Sequence, residues 1–300
     1  MSPAGGAALG LHISTNRGFA AAVESARDLG VEAVQIFTGN PAAWKAPPVQ
    51  PGPAREFTEA LRAAGVRTVV SHCNYLINLA SDDPVLHGKS KESLANEMER
   101  AAAYGLDCVI VHIGSHRGSG LEGGLERIVA AVEHALAAVP AAGSDPAGQD
   151  GPRTPRLLLE NSAGTGDNIG GRFEDLGELL RRLTPHADRV GICFDTAHAH
   201  SAGNDMAGPA AARATIAHLD ATVGLERVHV VHANDTEVEL GGKVDRHWHI
   251  GQGNVGIETF AHLLAHPVLG RLPFILETPG DEHVEGRSNL ETLRLLRPRA

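Results

Sequence analysis

Six short apolar runs in this 300-residue chain end on an imidazole or a carboxylate. TVVSH closes on His72, CVIVH on His112, RLLLE on Glu160, VGICFD on Asp195, HVVH on His232 and FILE on Glu277. His198 follows Asp195 by three residues in DTAH, and Asp245 and His247 bracket Arg246 in DRH. An extended segment points residues two apart to the same side, so Asp245 and His247 can serve one ion while Arg246 faces elsewhere or toward an anionic substrate. A strand end passing into a turn brings Asp195 and His198 to adjacent positions. The nine side chains form a nitrogen and oxygen donor set without thiolate. Such a set suits zinc, with manganese and iron as alternatives. One catalytic zinc uses about three protein ligands plus water, so this set implies two or three ions with a shared carboxylate. Ions about 4 Å apart favour in-line displacement at phosphorus, one making hydroxide while others neutralise the phosphate and the leaving oxygen. The residues therefore point to phosphoester hydrolysis.

A lone histidine at a strand end is usually a packed or surface residue, and most of the 17 histidines need no function. His87, His116, His134, His186, His218, His262, His266 and His283 fall in loops or on helices, and His229 reads as an outer strand position. Joint placement at successive strand ends carries the argument. Cys73, Cys108 and Cys193 lack CxxC spacing and give no disulfide framework. Cys73 follows His72 directly, and neighbouring strand residues point to opposite faces, so packing is its expected role.

Positioning these donors requires strands that stop at a common rim. Eight strand-like runs occur, at 8–13, 33–37, 67–72, 108–113, 156–160, 190–195, 227–232 and 273–277. Several are rich in Val, Ile and Leu with little alternation, as in strands buried on both faces. Helical stretches separate them, at 18–29, 53–64, 89–104, 124–138, 173–183, 209–223 and 257–265. This alternation predicts an α/β fold, a TIM (β/α)8 barrel forming a single domain over 1–300, whose strand C-termini open to substrate. An open doubly wound sheet would not gather ligands from six successive strands around one centre. Residues 141–155, AAGSDPAGQDGPRTP, read as a flexible surface insertion, and the tail RLLRPRA is expected to fray.

The 42% hydrophobic content is ample for one core. No apolar run approaches the roughly 20 residues of a membrane span, and the start MSPAGGAALGLHIS lacks signal-peptide features. A cytoplasmic, monomeric protein without a membrane partner is expected. The formal charge of −10 argues against nucleic acid. That argument weakens because many acids are candidate ligands, and each bound divalent ion returns two positive charges.

The segments SHCNYLINLAS, VHIGSH, LLLENSAGTG, GICFDTAHAHSAG, HANDTE and VDRHWHIGQGNVG, between GLHIS and FILETPG, extend the pattern over nearly the whole chain. Together they resemble the endonuclease IV (deoxyribonuclease IV) family of apurinic/apyrimidinic endonucleases. The resemblance implies a TIM barrel holding three zinc ions. One would take His72, His112 and Glu160; a second Glu160, Asp195, His232 and Glu277; the third His198, Asp245 and His247. Glu160 would bridge two ions and, as the catalytic carboxylate, orient a metal-bound hydroxide. The implied reaction cuts the phosphodiester 5′ to an abasic site in double-stranded DNA. It leaves a 3′-hydroxyl and a 5′-deoxyribose phosphate, and blocked 3′ ends are also removed. The abasic sugar would be flipped out, which costs least where base pairing is already lost.

Further roles follow from the same resemblance. Tyr75 and Leu76 match a segment that wedges into the DNA stack. His12, Asn40 and Arg246 are implied DNA contacts, His12 through a phosphate or a zinc-bound water, with a buried structural role as its alternative. Asn161 is expected to support the ligands beside Glu160, and Gly251, Gly253 and Gly256 a tight loop. The chain departs from the family pattern in three places. Ala42 stands where a basic residue that enters DNA occurs, Glu237 where lysine is common, and Ala197 where cysteine is frequent. Losing basic contacts would flatten the salt dependence of DNA binding. A sugar isomerase or epimerase on a similar barrel is the rival reading, with one or two ions and fewer ligands. A non-catalytic damage-binding protein would be expected to lack a bridging carboxylate, and Glu160 is present.

Overall fold

The computed structural model describes residues 6–140 and 154–298. Its strands are β1 (Ala8–His12), β2 (Ala33–Ile36), β3 (Thr68–His72), β4 (Cys108–His112), β5 (Arg156–Glu160), β6 (Val190–Asp195), β7 (Val228–His232) and β8 (Pro273–Leu276). Each pairs in parallel with the next, and β8 returns to β1, closing a barrel of eight strands. Around it run α1 (Phe19–Leu29), α2 (Pro51–Ala63), α3 (Pro84–Tyr104), α4 (Leu121–Ala138), α5 (Phe173–Arg182), α6 (Thr196–Ala202), α7 (Pro209–Thr222), α8 (Ile257–Ala265) and α9 (Arg287–Leu296). This is the (β/α)8 architecture the sequence predicts. Residues 141–153 of the expected insertion lie outside the described residues.

The alternation of side chains along each strand divides the apolar residues between two cores. One face packs under the helices, with Val69, Val109, Val111, Leu157, Leu159, Phe194 and Phe274 fully buried there. The other face closes the barrel interior with a small cluster that includes Ala8, Ala33, Val70, Ile110, Leu158, Cys193, Val230 and Ile275. Room is short where β1 crosses β2. A Cβ on Gly10 would lie 1.7 Å from the carbonyl oxygen of Ala33, so only glycine lets these two strands pair.

Local chemistry moves several boundaries. α3 begins at Pro84 rather than near 89, because the Asp83 side chain accepts from the amides of Val85 and Leu86 and proline fits the first turn. α6 is not expected from the sequence; the Asp195 carboxylate caps it by accepting from the His198 amide at 2.7 Å. As far as it is described, to Pro298, the tail is anchored rather than frayed, and residues 299–300 lie outside the described residues. α9 carries it to Leu296, Arg294 donates to the carbonyls of Leu29 and Gly30 at 2.7 Å each, and Arg297 donates to that of Ala7 at 3.0 Å. His229 is half-buried in β7. It stands near a register shift between β6 and β7, with ring atoms where a Gly191 side chain would be. Among the described residues, no helix is long and apolar enough to cross a membrane.

Gly10→Ala is expected to lower stability by at least about 2 kcal/mol through overpacking, read as a lower urea midpoint. An unchanged midpoint would show that the β1–β2 contact is not as tight as described.

Candidate metal centre

Every strand places a polar side chain at the C-terminal rim, two residues beyond the last interior apolar residue on β2 to β8 and four beyond Ala8 on β1, where Gly10 intervenes. Going round the barrel these are His12, Gln35, His72, His112, Glu160, Asp195, His232 and Glu277, the last immediately after β8. Register keeps them level: His12 pairs with Gln35, His112 with Glu160, and Asp195 with His232. The turn of α6 brings in His198, and the segment after β7 brings in Asp245 and His247.

The donors gather around Glu160, which is 1% exposed. Its Oε2 lies 3.2 Å from His72 Nε2 and 3.1 Å from His112 Nε2. Its Oε1 lies 3.0 Å from His232 Nδ1 and 3.3 Å from His198 Nδ1. His232 Nδ1 is also 3.1 Å from Glu277 Oε2 and 3.9 Å from Asp195 Oδ2. A third gathering has His198 Nε2 3.1 Å from Asp245 Oδ1 and 3.3 Å from His247 Nε2, with His247 Nε2 3.7 Å from Asp245 Oδ1. All nine sequence-selected donors thus come together in adjoining groups that share members: His72, His112 and Glu160; Glu160, Asp195, His232 and Glu277; and two around His198, one with His112 and Asp245 and one with Asp195 and His247. Glu160 faces two of them with different oxygens. Cys73 is buried and belongs to none.

The supporting hydrogen bonds fix which nitrogen each imidazole presents. His72 Nδ1 donates to the Cys73 carbonyl at 2.7 Å, His198 Nδ1 to that of Asn161 at 2.9 Å, and His247 Nδ1 to that of Glu277 at 3.2 Å. Each of these rings turns Nε2 toward the group. His232 is reversed: Nε2 donates to Gln35 Oε1 at 2.8 Å and Nδ1 faces the carboxylates. Gln35 also donates through Nε2 to Glu277 Oε1 at 2.6 Å. Asn234 donates to Asp195 Oδ2 at 2.7 Å, and its Oδ1 accepts from the Glu277 amide at 2.8 Å. Asn161 brackets Asp195, accepting from its amide at 2.7 Å and donating to its carbonyl at 2.9 Å, the supporting position expected of it. Sequence reading missed Gln35 and Asn234. Gln35 did leave a signal, a lone amide in the apolar run AVQIF, in phase with the rim.

Burial would lift the Glu160 carboxyl, but His112 and His232 hold it well below the usual carboxylate range. Burial would likewise lift Glu277, and His232 beside it draws it down to about 2. His198 moves the other way: burial opposes its charge, and Asp195, Asp245 and Glu160 raise its pKa well above the ordinary value. His232 is raised likewise, burial again opposing its charge and Cys193, Glu277 and Glu160 outweighing it, so both rings favour their protonated forms among the buried acids. The nitrogen and oxygen donors and the close-set acids Glu160, Asp195 and Glu277 fit divalent ions, which would displace those protons.

Of the expected DNA contacts, Tyr75 is 66% exposed beside the centre, its ring centroid 6.2 Å from that of His72. Leu76 is partly buried next to it. Two clefts flank Tyr75. One, of about 540 Å³, is lined by His12, Arg17, Phe37 and Glu277. The other, of about 480 Å³, is lined by Leu76, Arg117, His112, His198 and Asp245. Burial lowers the His12 pKa to about 4, so the ring is neutral at neutral pH. Asn40 is exposed, and its side chain accepts from the Ala42 amide at 2.9 Å, shaping a loop whose Pro41 carbonyl accepts from the Tyr75 amide at 3.0 Å. Arg246 is paired with Glu237 at 3.4 Å and lies over the Trp248 ring. The expected glycine loop is present. Asp235, fully buried, accepts from the amides of Gly251, Gly253 and Gly256. A separate cavity of about 820 Å³ lies against α3, Trp44 and His134 and holds none of the clustered donors.

Comparison with known proteins agrees with this geometry. Residues 23–298 match the xylose isomerase-like TIM barrel family. A Methanoculleus marisnigri protein named "Probable endonuclease 4" is 39% identical over 96% of this chain and 98% of its own. The crystal structure of endonuclease IV from Thermus thermophilus superposes with a TM-score of 0.80 at 38% identity, over 96% of this chain and 98% of that one. A D-tagatose 3-epimerase-like protein superposes with a TM-score of 0.66 at 19% identity, over 96% and 98% of the two chains, and shares the fold alone.

Zinc titrations test the imidazole orientation. Gln35→Leu is expected to weaken zinc binding about 10- to 100-fold by freeing the His232 ring. Wild-type binding should weaken from pH 8 to pH 6, because protons compete for the imidazoles. Equal affinity of variant and wild type would remove Gln35 from the centre.

Proposed function

Because the chain belongs to the endonuclease IV family of xylose isomerase-like TIM barrels, a family of DNA-repair endonucleases, we propose that it incises duplex DNA at abasic sites. The bond cut is the phosphodiester 5′ to the lesion, leaving a 3′-hydroxyl and a 5′-deoxyribose phosphate, and blocked 3′ ends are also cleaned. The observation that supports this reading is the convergence of nine donors into adjoining groups, with Glu160 shared between two of them.

Three zinc ions suit those groups. His72, His112 and Glu160 would hold one; Glu160, Asp195, His232 and Glu277 a second; and His198, Asp245 and His247 the third. Bound there, such ions supply Lewis acidity at the phosphoryl oxygens and make water a nucleophile at neutral pH. The chain's own residues do the rest. Gln35, Asn161 and Asn234 fix the donors, so little reorganisation is needed during reaction. Tyr75, exposed between the two clefts, fills the space opened in the base stack while the unpaired sugar turns out toward the donors. Leu76, Asn40 and Arg246 contact DNA around it. His12, neutral and held at Nδ1 by Gln35 at 3.2 Å, donates a hydrogen bond rather than a charge. The enzyme acts as a monomer in the cytoplasm.

The test is incision of a duplex bearing one tetrahydrofuran abasic analogue, with and without chelator. A single cut 5′ to the lesion, lost on chelation, is expected. Glu160→Gln should reduce that rate by at least about 10³-fold, a barrier increase of ~4 kcal/mol, with an unchanged circular dichroism spectrum. Wild-type turnover by the variant, or no cut by the wild type, would overturn the reading.

A further inference from the structure

One arginine beside the centre has no role in the description above. Arg117 lies in the loop after β4 and lines the 480 Å³ cleft shared by His112, His198, Asp245, Tyr75 and Leu76. Arg117 is exposed, and among the described residues its guanidinium makes no ion pair; only its backbone amide is engaged, donating to Ser115 Oγ at 3.3 Å. The other arginines at this rim already have acidic neighbours. Arg246 is 3.4 Å from Glu237 and Arg17 is 4.0 Å from Glu282.

The loop that carries Arg117 is fixed from below. Asn78 accepts from the Ser115 amide at 2.9 Å and donates to the Ser115 carbonyl at 3.0 Å. The His116 amide donates to the Asp167 carbonyl at 3.2 Å, tying the loop to the segment after β5. Gly114 permits the close approach, since a Cβ there would lie 2.2 Å from Asn78 Oδ1. Arg117 itself has φ of 47°, a left-handed conformation uncommon outside glycine, asparagine and aspartate. An unpaired guanidinium held in a cleft beside metal-type donors is matched to a phosphate, which it can bind through two parallel hydrogen bonds.

We propose that Arg117 binds a backbone phosphate of the DNA strand lying in this cleft, flanking the phosphate that is cleaved, and so sets the strand's register on the centre. This rests on the abasic-DNA reading. Its partner is the sugar-phosphate backbone, so the contact strengthens binding to damaged and undamaged duplex alike.

The test uses Arg117→Asn, which removes the charge while suiting the left-handed backbone, and Arg117→Lys, which keeps the charge. Metal-loaded proteins are titrated with an undamaged duplex by fluorescence anisotropy from 50 to 200 mM KCl, and kcat/KM is measured on the tetrahydrofuran duplex over the same range. For Arg117→Asn the log–log salt slope should be shallower by about 1 in both assays. The variant's deficit should therefore shrink about fourfold across that range. Metal content and melting temperature should match wild type, and Arg117→Lys should retain most of the slope. A purely structural role would lower melting temperature and leave the slope unchanged. A wild-type slope in Arg117→Asn would overturn the inference. Failure of the wild type to cut the abasic duplex would instead overturn the functional reading, while the anisotropy slopes would still report on the phosphate contact. Should Arg117→Asn fold poorly, Arg117→Gly makes the same comparison.

Discussion

The centre depends on one geometric constraint: in a closed parallel barrel, side chains alternate strictly between the helix-covered face and the interior. An inward apolar residue near the middle of a strand therefore dictates that the residue two places on also faces inward, at the rim. Val70 sets His72, Ile110 sets His112, Leu158 sets Glu160, Cys193 sets Asp195, Val230 sets His232 and Ile275 sets Glu277. The apolar plug below excludes water, and the polar ring above cannot turn away from it. A one-residue slip in any strand would exchange donor and core positions together.

That arrangement concentrates buried charge, which is costly unless paired. The structure meets the cost by interleaving imidazoles with carboxylates around Glu160 and by committing one nitrogen of each supported ring to a carbonyl acceptor. Three amides, Gln35, Asn161 and Asn234, complete the orientation without adding charge. Divalent cations held by these donors would complete the balance and reconcile a formal charge of −10 with a polyanionic substrate.

The fold and the donors were legible because the sequence signals were local: apolar runs of strand length, each stopping on a donor. What was not legible depended on partners remote in sequence. Gln35 and Asn234 gain meaning only across the barrel, Gln35 with His232 and Glu277, Asn234 with Asp195 and Glu277. α6 is short, and Asp195 both ends β6 and caps that helix, so its donor role masked its capping role. The tail looked free because its anchors, the carbonyls of Ala7, Leu29 and Gly30, lie at the opposite end of the chain. Arg117 escaped notice because a single exposed arginine has no periodicity, and its cleft exists only once β4 stands beside the segment after β7.

The decisive measurement is elemental: the number of divalent metal atoms retained per chain after exhaustive gel filtration in metal-free buffer. The proposed three-ion assignment calls for close to three, with loss of one when Asp245 is replaced by alanine, since that half-exposed residue serves only the outermost ion position. A single retained atom in the intact protein, indifferent to Asp245, would contradict it.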